Sequence, residues 1–224
     1  MGGGRKTGTE DVGDATGCGV RRAAVGRVDA TQAGTGGHAG AAAFAALGRL
    51  EADLKQGGER SLPPVERWDP PYCGDIGLSI ARDGTWSYRG SPIRRMALVK
   101  LFASVLRRDE DGRHYLVTPV EKVDVVVEDA PFLAVEMEVL SEGAAQVIVV
   151  RTNLDDVVRV GGPHALQLVT ADDGALKPYV RVRGRLDALF TRALTYDLAE
   201  LIVAGRDGRN GVWSEGQFFA VDID

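Results

Sequence analysis

Between residues 115 and 169 the chain offers six short apolar runs, at 115–118, 123–127, 132–140, 146–151, 156–160 and 165–169, each short for a helix. That spacing commits most of the molecule to β-structure. In the third run Val135, Met137 and Val139 alternate with Ala134, Glu136 and Glu138, the period of an antiparallel strand with one wet face. A curved sheet or partial barrel is the expected outcome.

Two helical patterns flank this region. In the first, a turn at Asp83-Gly84 leads to a short strand with Trp86 and Tyr88 on one face. Ser91 then suits an N-cap and Pro92 the first helical position, where its missing N–H is harmless. Ile93, Ala97, Leu98, Leu101, Phe102, Val105 and Leu106 recur at three- and four-residue steps. The second pattern is a strand at 179–183, a helix over 186–204, and strands around 212–213 and 218–221. Arg-Gly precedes each helix, at Arg89-Gly90 and Arg183-Gly184, and Asp-Gly follows each, at Asp111-Gly112 and Asp207-Gly208. The recurrence predicts an α+β fold of two repeated strand–helix–hairpin units with curved, mainly antiparallel sheets.

The termini of these units follow from composition. Fifteen of the 29 glycines fall in residues 1–60, and residues 1–40 hold almost nothing bulky and apolar, so they read as a disordered, glycine-rich leader. Residues 41–60 read as a short helix with Phe44, Leu47, Leu50 and Leu54, ended by Gly57-Gly58. An N-terminal subdomain is placed at 61–130 and a C-terminal one at 131–224. Within the first, the proline-rich stretch 63–77 is expected to run extended over the surface, outside any central strand, anchored by Trp68 and Tyr72.

Eight of the 27 Lys/Arg and seven of the 32 Asp/Glu lie in residues 1–60, which leaves 19 basic against 25 acidic residues beyond them. An acidic folded part argues against generic nucleic-acid binding, which draws on a basic surface. No apolar run approaches the roughly 18 residues of a membrane span. With two cysteines, Cys18 and Cys73, and no signal-peptide pattern, a cytoplasmic protein is expected.

Few motifs carry chemistry. His38, His114 and His164 are scattered, so no metal site or cofactor is expected. Cys73 lacks a local histidine and reads as a structural thiol. The glycines at 2–4 and 205–211 lack a Walker lysine and a strand-to-helix context, and the pairs Glu128-Asp129 and Asp155-Asp156 read as solvated turns. Three segments remain, TPVEK with Thr118, Glu121 and Lys122, RTN with Arg151 and Asn153, and PYVRVRG with Tyr179, Arg181 and Arg183. There, polar groups interrupt apolar strands. Arginine beside Tyr179 and Asn153 suits an anion through bidentate hydrogen bonds and stacking; the competing reading is cross-strand ion pairing.

The segments PPVERWDPPYCGDIG, DGTWSYRGSPIRRMALVKLFASVLRR, YLVTPVEKV, VEDAPF, RTN and YVRVRGRLDALFTRALTYDL resemble the bacterial family catalogued as domain of unknown function 1285, over about residues 62–221. The resemblance implies a duplicated core with a pleckstrin-homology-like C-terminal half and a nucleotide-type ligand between the halves. It implies no catalytic residue.

Three functions then compete. The first is a non-catalytic ligand-binding or signalling module holding a nucleotide-type or phosphorylated small molecule through Arg95, Thr118, Glu121, Lys122, Arg151, Asn153, Tyr179 and Arg183. The second is a scaffold that docks a protein partner on sheet edges and the proline-rich segment, and needs Trp68, Trp86 and Tyr72 exposed. The third is a hydrolase with Glu121 as base, which requires that carboxylate buried in a cleft with a raised pKa.

Overall fold

The structure, a computed structural model, describes residues 62–141, 145–205 and 208–222, all within one compact unit, Thr35–Asp224. The expected leader and the helix at 41–60 lie outside the described residues.

The N-terminal half contains strands β1 (Tyr72–Ile80), β2 (Trp86–Tyr88) and β3 (Ser91–Pro92), helix α1 (Met96–Ser104), and strands β4 (Leu106–Arg108), β5 (His114–Val117) and β6 (Lys122–Val127). They form one sheet in the order β3-β2-β1-β6-β5-β4, antiparallel except where β1 meets β6. The C-terminal half contains β7 (Phe132–Leu140), β8 (Val147–Thr152), β9 (Val157–Arg159), β10 (Leu166–Thr170), β11 (Leu176–Arg183), β12 (Leu186–Phe190), α2 (Arg192–Ala199), β13 (Val203–Ala204), β14 (Asn210–Ser214) and β15 (Gln217–Asp222). Its sheet runs β13-β14-β15-β10-β11-β12-β7-β8-β9, with parallel pairs only at β10/β15 and β12/β7. The molecule is therefore mostly β, an α+β fold with two mixed, curled sheets and two helices among the described residues.

The second sheet curls into a half-barrel. Ser214 on β14 accepts from the Ile148 N–H at 3.0 Å and donates to the Val160 carbonyl at 2.6 Å, and Arg159 pairs with Glu215 at 2.8 Å. Distant strands of one sheet are thus tied to each other. Inside lie Phe132, Ile148, Val150, Leu168, Val180, Ala188 and Phe190, and α2 covers them with Leu194 and Leu198. Burial of each large side chain stabilises by roughly 1.5–3 kcal/mol. In the first half, Val99, Leu101 and Phe102 of α1 pack on the sheet, with Phe102 6.2 Å from the Trp86 ring.

Three expectations are corrected. The helix over 186–204 is instead a strand and a short helix. Leu186, Ala188 and Phe190 are buried at period two, and only Leu194 and Leu198 follow the helical step of four. Helix α1 begins at Met96 rather than at Ser91 and Pro92, because Ser91 and Pro92 pair with β2 and Ile93 N–H still donates to the Trp86 carbonyl at 2.8 Å. The segment ending at Gly77 does not stay outside the sheet. Its prolines stop at Pro71, and β1, which begins at the next residue, lies between β2 and β6. Gly74 and Gly77, at φ 86° and 82°, accompany the register shifts on the β6 side that admit so irregular a strand. Before Pro71 the segment is not extended throughout, since a 3-10 turn spans Val65–Arg67, and buried Arg107 fastens it by donating to the Val65 and Trp68 carbonyls at 2.8 and 2.7 Å. Trp68 packs against the core, while Tyr72, 53% exposed, holds to the surface through its hydroxyl, which donates to Asp124, and an edge-to-face contact with Tyr115 at 6.3 Å.

Candidate functional site: a cleft between the two halves

The halves are fastened by polar contacts as well as by their shared core. Arg183, at the end of β11, donates to the Ala103 carbonyl in the last turn of α1 at 2.7 Å and to both Asp156 carboxylate oxygens at 3.2 Å, with its guanidinium 4.9 Å from the Phe132 ring centre. Lys100 on α1 pairs with Asp155. Between residues 81 and 85 the chain turns at Gly84 (φ 80°), where a Cβ would come within 2.8 Å of the Asn153 amide. No other residue fits that turn against the second half without displacing it.

Beside this seam lies a cleft of about 220 Å³. The first half contributes Arg108 and His114, which are directly opposed partners on β4 and β5. The second contributes Gln167 and Tyr179, opposed partners on β10 and β11, and Asp187 on β12. Asp129, Ala130 and Pro131 in the connection form the remaining wall with Val169. Two cross-strand pairs from two sheets therefore face one space.

The polar groups there fall into two sets. Asp129 is committed: it accepts from the Tyr179 hydroxyl and from Lys177 at 2.7 Å each, with Arg82 at 3.5 Å. Burial opposes its ionisation, but the bonds from Lys177 and Tyr179 outweigh it and hold the carboxyl below its ordinary pKa. Asp187 is bound by Arg181 at 2.5 Å. By contrast, Arg108 spends its Nε on the Gly112 carbonyl at 3.2 Å and approaches Asp187 only to 3.8 Å, which leaves its terminal nitrogens without a short partner. His114 is kept neutral, its pKa driven from 6.5 to about 4 by burial and then by Arg108. Neither its ring nitrogens nor the exposed Gln167 amide has a hydrogen-bond partner among the described residues. The uncommitted set is one cation and two neutral groups that both donate and accept.

Of the eight residues singled out from sequence, only Tyr179 lines this cleft. Arg95 is exposed at the start of α1. Thr118 and Glu121 close a turn between β5 and β6, with Thr118 Oγ1 accepting from the Glu121 N–H at 3.2 Å. Lys122 pairs with Asp109 at 3.0 Å and covers the Tyr115 ring on the outer side of the first sheet. Arg151 is exposed and paired with Glu136 and Asp155. Asn153 accepts from the Leu133 N–H at 3.0 Å, and Arg183 is the fastening described above. The residues that meet in the cleft, Arg108, His114, Gln167, Asp129 and Asp187, were not among the eight. One signal was available: the Asp111-Gly112 turn sets a hairpin register in which Arg108 and His114 stand opposite each other.

A second, open depression of about 480 Å³ holds Glu66, Asp69, Asp109, Glu110 and Asp111 beside Arg107 and Arg185. Among the described residues no cluster of three or more His, Cys, Asp or Glu has the arrangement of a metal site, and no helix is long and apolar enough to cross a membrane.

Residues 63–130 match the family described as Domain of unknown function (DUF1285), N-terminal domain, and residues 131–221 match Protein of unknown function (DUF1285), C-terminal domain. The boundary between the two matches falls between Ala130 and Pro131, in the wall of the cleft. No curated protein matches the chain. The solved structure of a DUF1285 family protein from Silicibacter pomeroyi DSS-3 is 44% identical, with 77% of this chain and 93% of that chain covered and a TM-score of 0.68. Another, from Shewanella baltica OS155, is 30% identical over 56% of this chain and 91% of that one, with a TM-score of 0.44. With both matches spanning residues 63–221 and a solved relative of that identity, the chain belongs to the DUF1285 family.

Proposed function

We propose that the chain is a ligand-binding or signalling module that holds a nucleotide-type or phosphorylated small molecule in the cleft between its halves. One observation carries the reading: Arg108, His114 and Gln167 turn unused hydrogen-bonding capacity into a single cleft from two sheets, while their polar neighbours are already satisfied. A guanidinium suits an oxyanion, and two neutral groups that donate and accept suit the edge of a base or sugar. The cleft is smaller than those that enclose whole drug-sized ligands, so it fits a ring and one oxyanion with the rest outside. A cytoplasmic module of two related strand–helix–hairpin units, the second pleckstrin-homology-like, belongs to the same proposal.

The scaffold reading retains one observation. Tyr72, Val120 and Val126 are 53%, 63% and 57% exposed on or beside β1 and β6, although Trp86, which it also needs, is buried. The hydrolase reading has a buried Glu121 with a raised pKa, but Glu121 lines neither cavity described above.

The test is thermal stability of the full chain against adenosine monophosphate, other nucleotides, coenzyme A and sugar phosphates. A ligand at about 100 times its Kd stabilises the fold by about 2.7 kcal/mol, a shift of several degrees. Arg108→Ala is expected to abolish the shift and Gln167→Ala to shrink it. Arg108→Ala and Gln167→Ala variants that bind as the parent does would place the ligand elsewhere.

A further inference from the structure

Arg108 and His114 are directly opposed across β4 and β5, which puts their Cβ atoms about 4.5–5.5 Å apart on the face that opens into the cleft. An oxyanion that reaches the Arg108 guanidinium therefore also reaches the imidazole. That imidazole sits beside a cation in a partly buried place and stays neutral at physiological pH. The other charged groups around it are spoken for. Asp129 is held by Lys177, Tyr179 and Arg82, and Asp187 by Arg181, so neither carboxylate is left to balance a charged His114. Gln167 on β10 is neutral. An arriving anion alters that balance at one point, between the guanidinium and the ring.

We infer that His114 takes up a proton when an oxyanion binds beside Arg108, so that the cleft grips its ligand more tightly in acid than in base. The inference rests on the cleft reading above. His114 then acts as a conditional second cation: without ligand it adds no charge, and with ligand it donates a charge-assisted hydrogen bond next to the one from Arg108. An opposite charge at this range raises an imidazole pKa by about 1–3 units, and each unit corresponds to about tenfold in affinity between the pH at which the ring is neutral in both states and the pH at which it is charged in both.

Sulfate is the decisive probe because its own charge does not change between pH 4 and 8, whereas a phosphate monoester titrates near pH 6. Calorimetric titration of the full chain with sulfate and with adenosine monophosphate at pH 6, in two buffers of different ionisation heat, reads the protons taken up. With a free value of about 4 and a bound value raised by about two units, sulfate should bring in about 0.5 proton per site. His114→Asn should reduce that uptake to zero while leaving weaker sulfate binding that Arg108→Ala removes. Nitrogen-detected NMR of the ring, assigned with the same variant, should show the His114 midpoint rising on saturation. Binding that depends on Arg108 but brings no proton and no change at His114 overturns the inference and leaves the cleft reading standing. Absence of any Arg108-dependent binding, at pH 6 or below, overturns both.

Discussion

Replacing Arg183 with alanine should lower the unfolding free energy by about 3 kcal/mol, the larger part of it from what the substitution leaves behind. The guanidinium caps the Ala103 carbonyl at the C-terminal end of α1, where the helix dipole is negative, and it holds both oxygens of Asp156. Without it, a half-buried carboxylate and a helix-end carbonyl lose their donor together, and the Phe132 ring loses its cation at 4.9 Å. Arg183→Lys keeps the charge but cannot reach Ala103 and Asp156 at once, so it should recover no more than about half the loss. Urea unfolding measures the difference, and hydrogen exchange at the last turn of α1 should quicken in step, because that turn is fastened to the second half here. If Arg183→Ala stays within about 0.5 kcal/mol of the parent, the bond to α1 is not what joins the halves, and the apolar seam alone does so.

The same residue shows what the sequence conceals. Arg183 and Arg151 stand out as cations inside apolar strands, and a strand arginine without a visible partner invites a ligand. Arg183 is taken up by the Ala103 carbonyl, 80 residues away, and by Asp156, 27 residues away, and Arg151 by Glu136, 15 residues away, and by Asp155, four away, so the fold turns apparent sites into a helix-end bond and ion pairs. Local periodicity was far more legible. The strand at 132–140 keeps its expected limits but not its expected faces, since Ala134 is buried with Phe132 and Val139 is exposed, with a register shift between Ala134 and Glu136; Leu186, Ala188 and Phe190 read as helix because leucines at 194 and 198 continue the apolar density in a different period. The β1 strand was hidden by the prolines just before it and by its own glycines, which depress strand propensity even where bulges accommodate them. The cleft was hidden for another reason: its residues come from five strands and one connection spread over both halves, and no linear pattern records that they meet.

Glu121 should prove the residue whose removal strengthens the fold. It precedes β6 on the face shared with Val123 and Val125, is only 4% exposed, and has one carboxylate oxygen buried with no hydrogen-bond partner among the described residues. The turn aims it inward: Thr118 N–H donates to the Glu121 carbonyl at 3.0 Å while Thr118 Oγ1 accepts from Glu121 N–H. Desolvation raises its pKa above the ordinary 4.5. A carboxyl whose folded pKa exceeds its unfolded one binds its proton more tightly in the native state. Its contribution is therefore most favourable below about pH 4.5 and is lost as pH rises through the folded value. Glu121→Met, which removes both the charge and the orphaned acceptor at similar volume, should raise stability at pH 7 by about 1–2 kcal/mol, a gain of several degrees in Tm. Glu121→Gln should flatten the pH dependence over that window while gaining less, because its amide keeps a buried acceptor and adds two donors that also need partners. A loss of more than about 1 kcal/mol in the methionine variant would mean that the buried oxygen has a donor in solution.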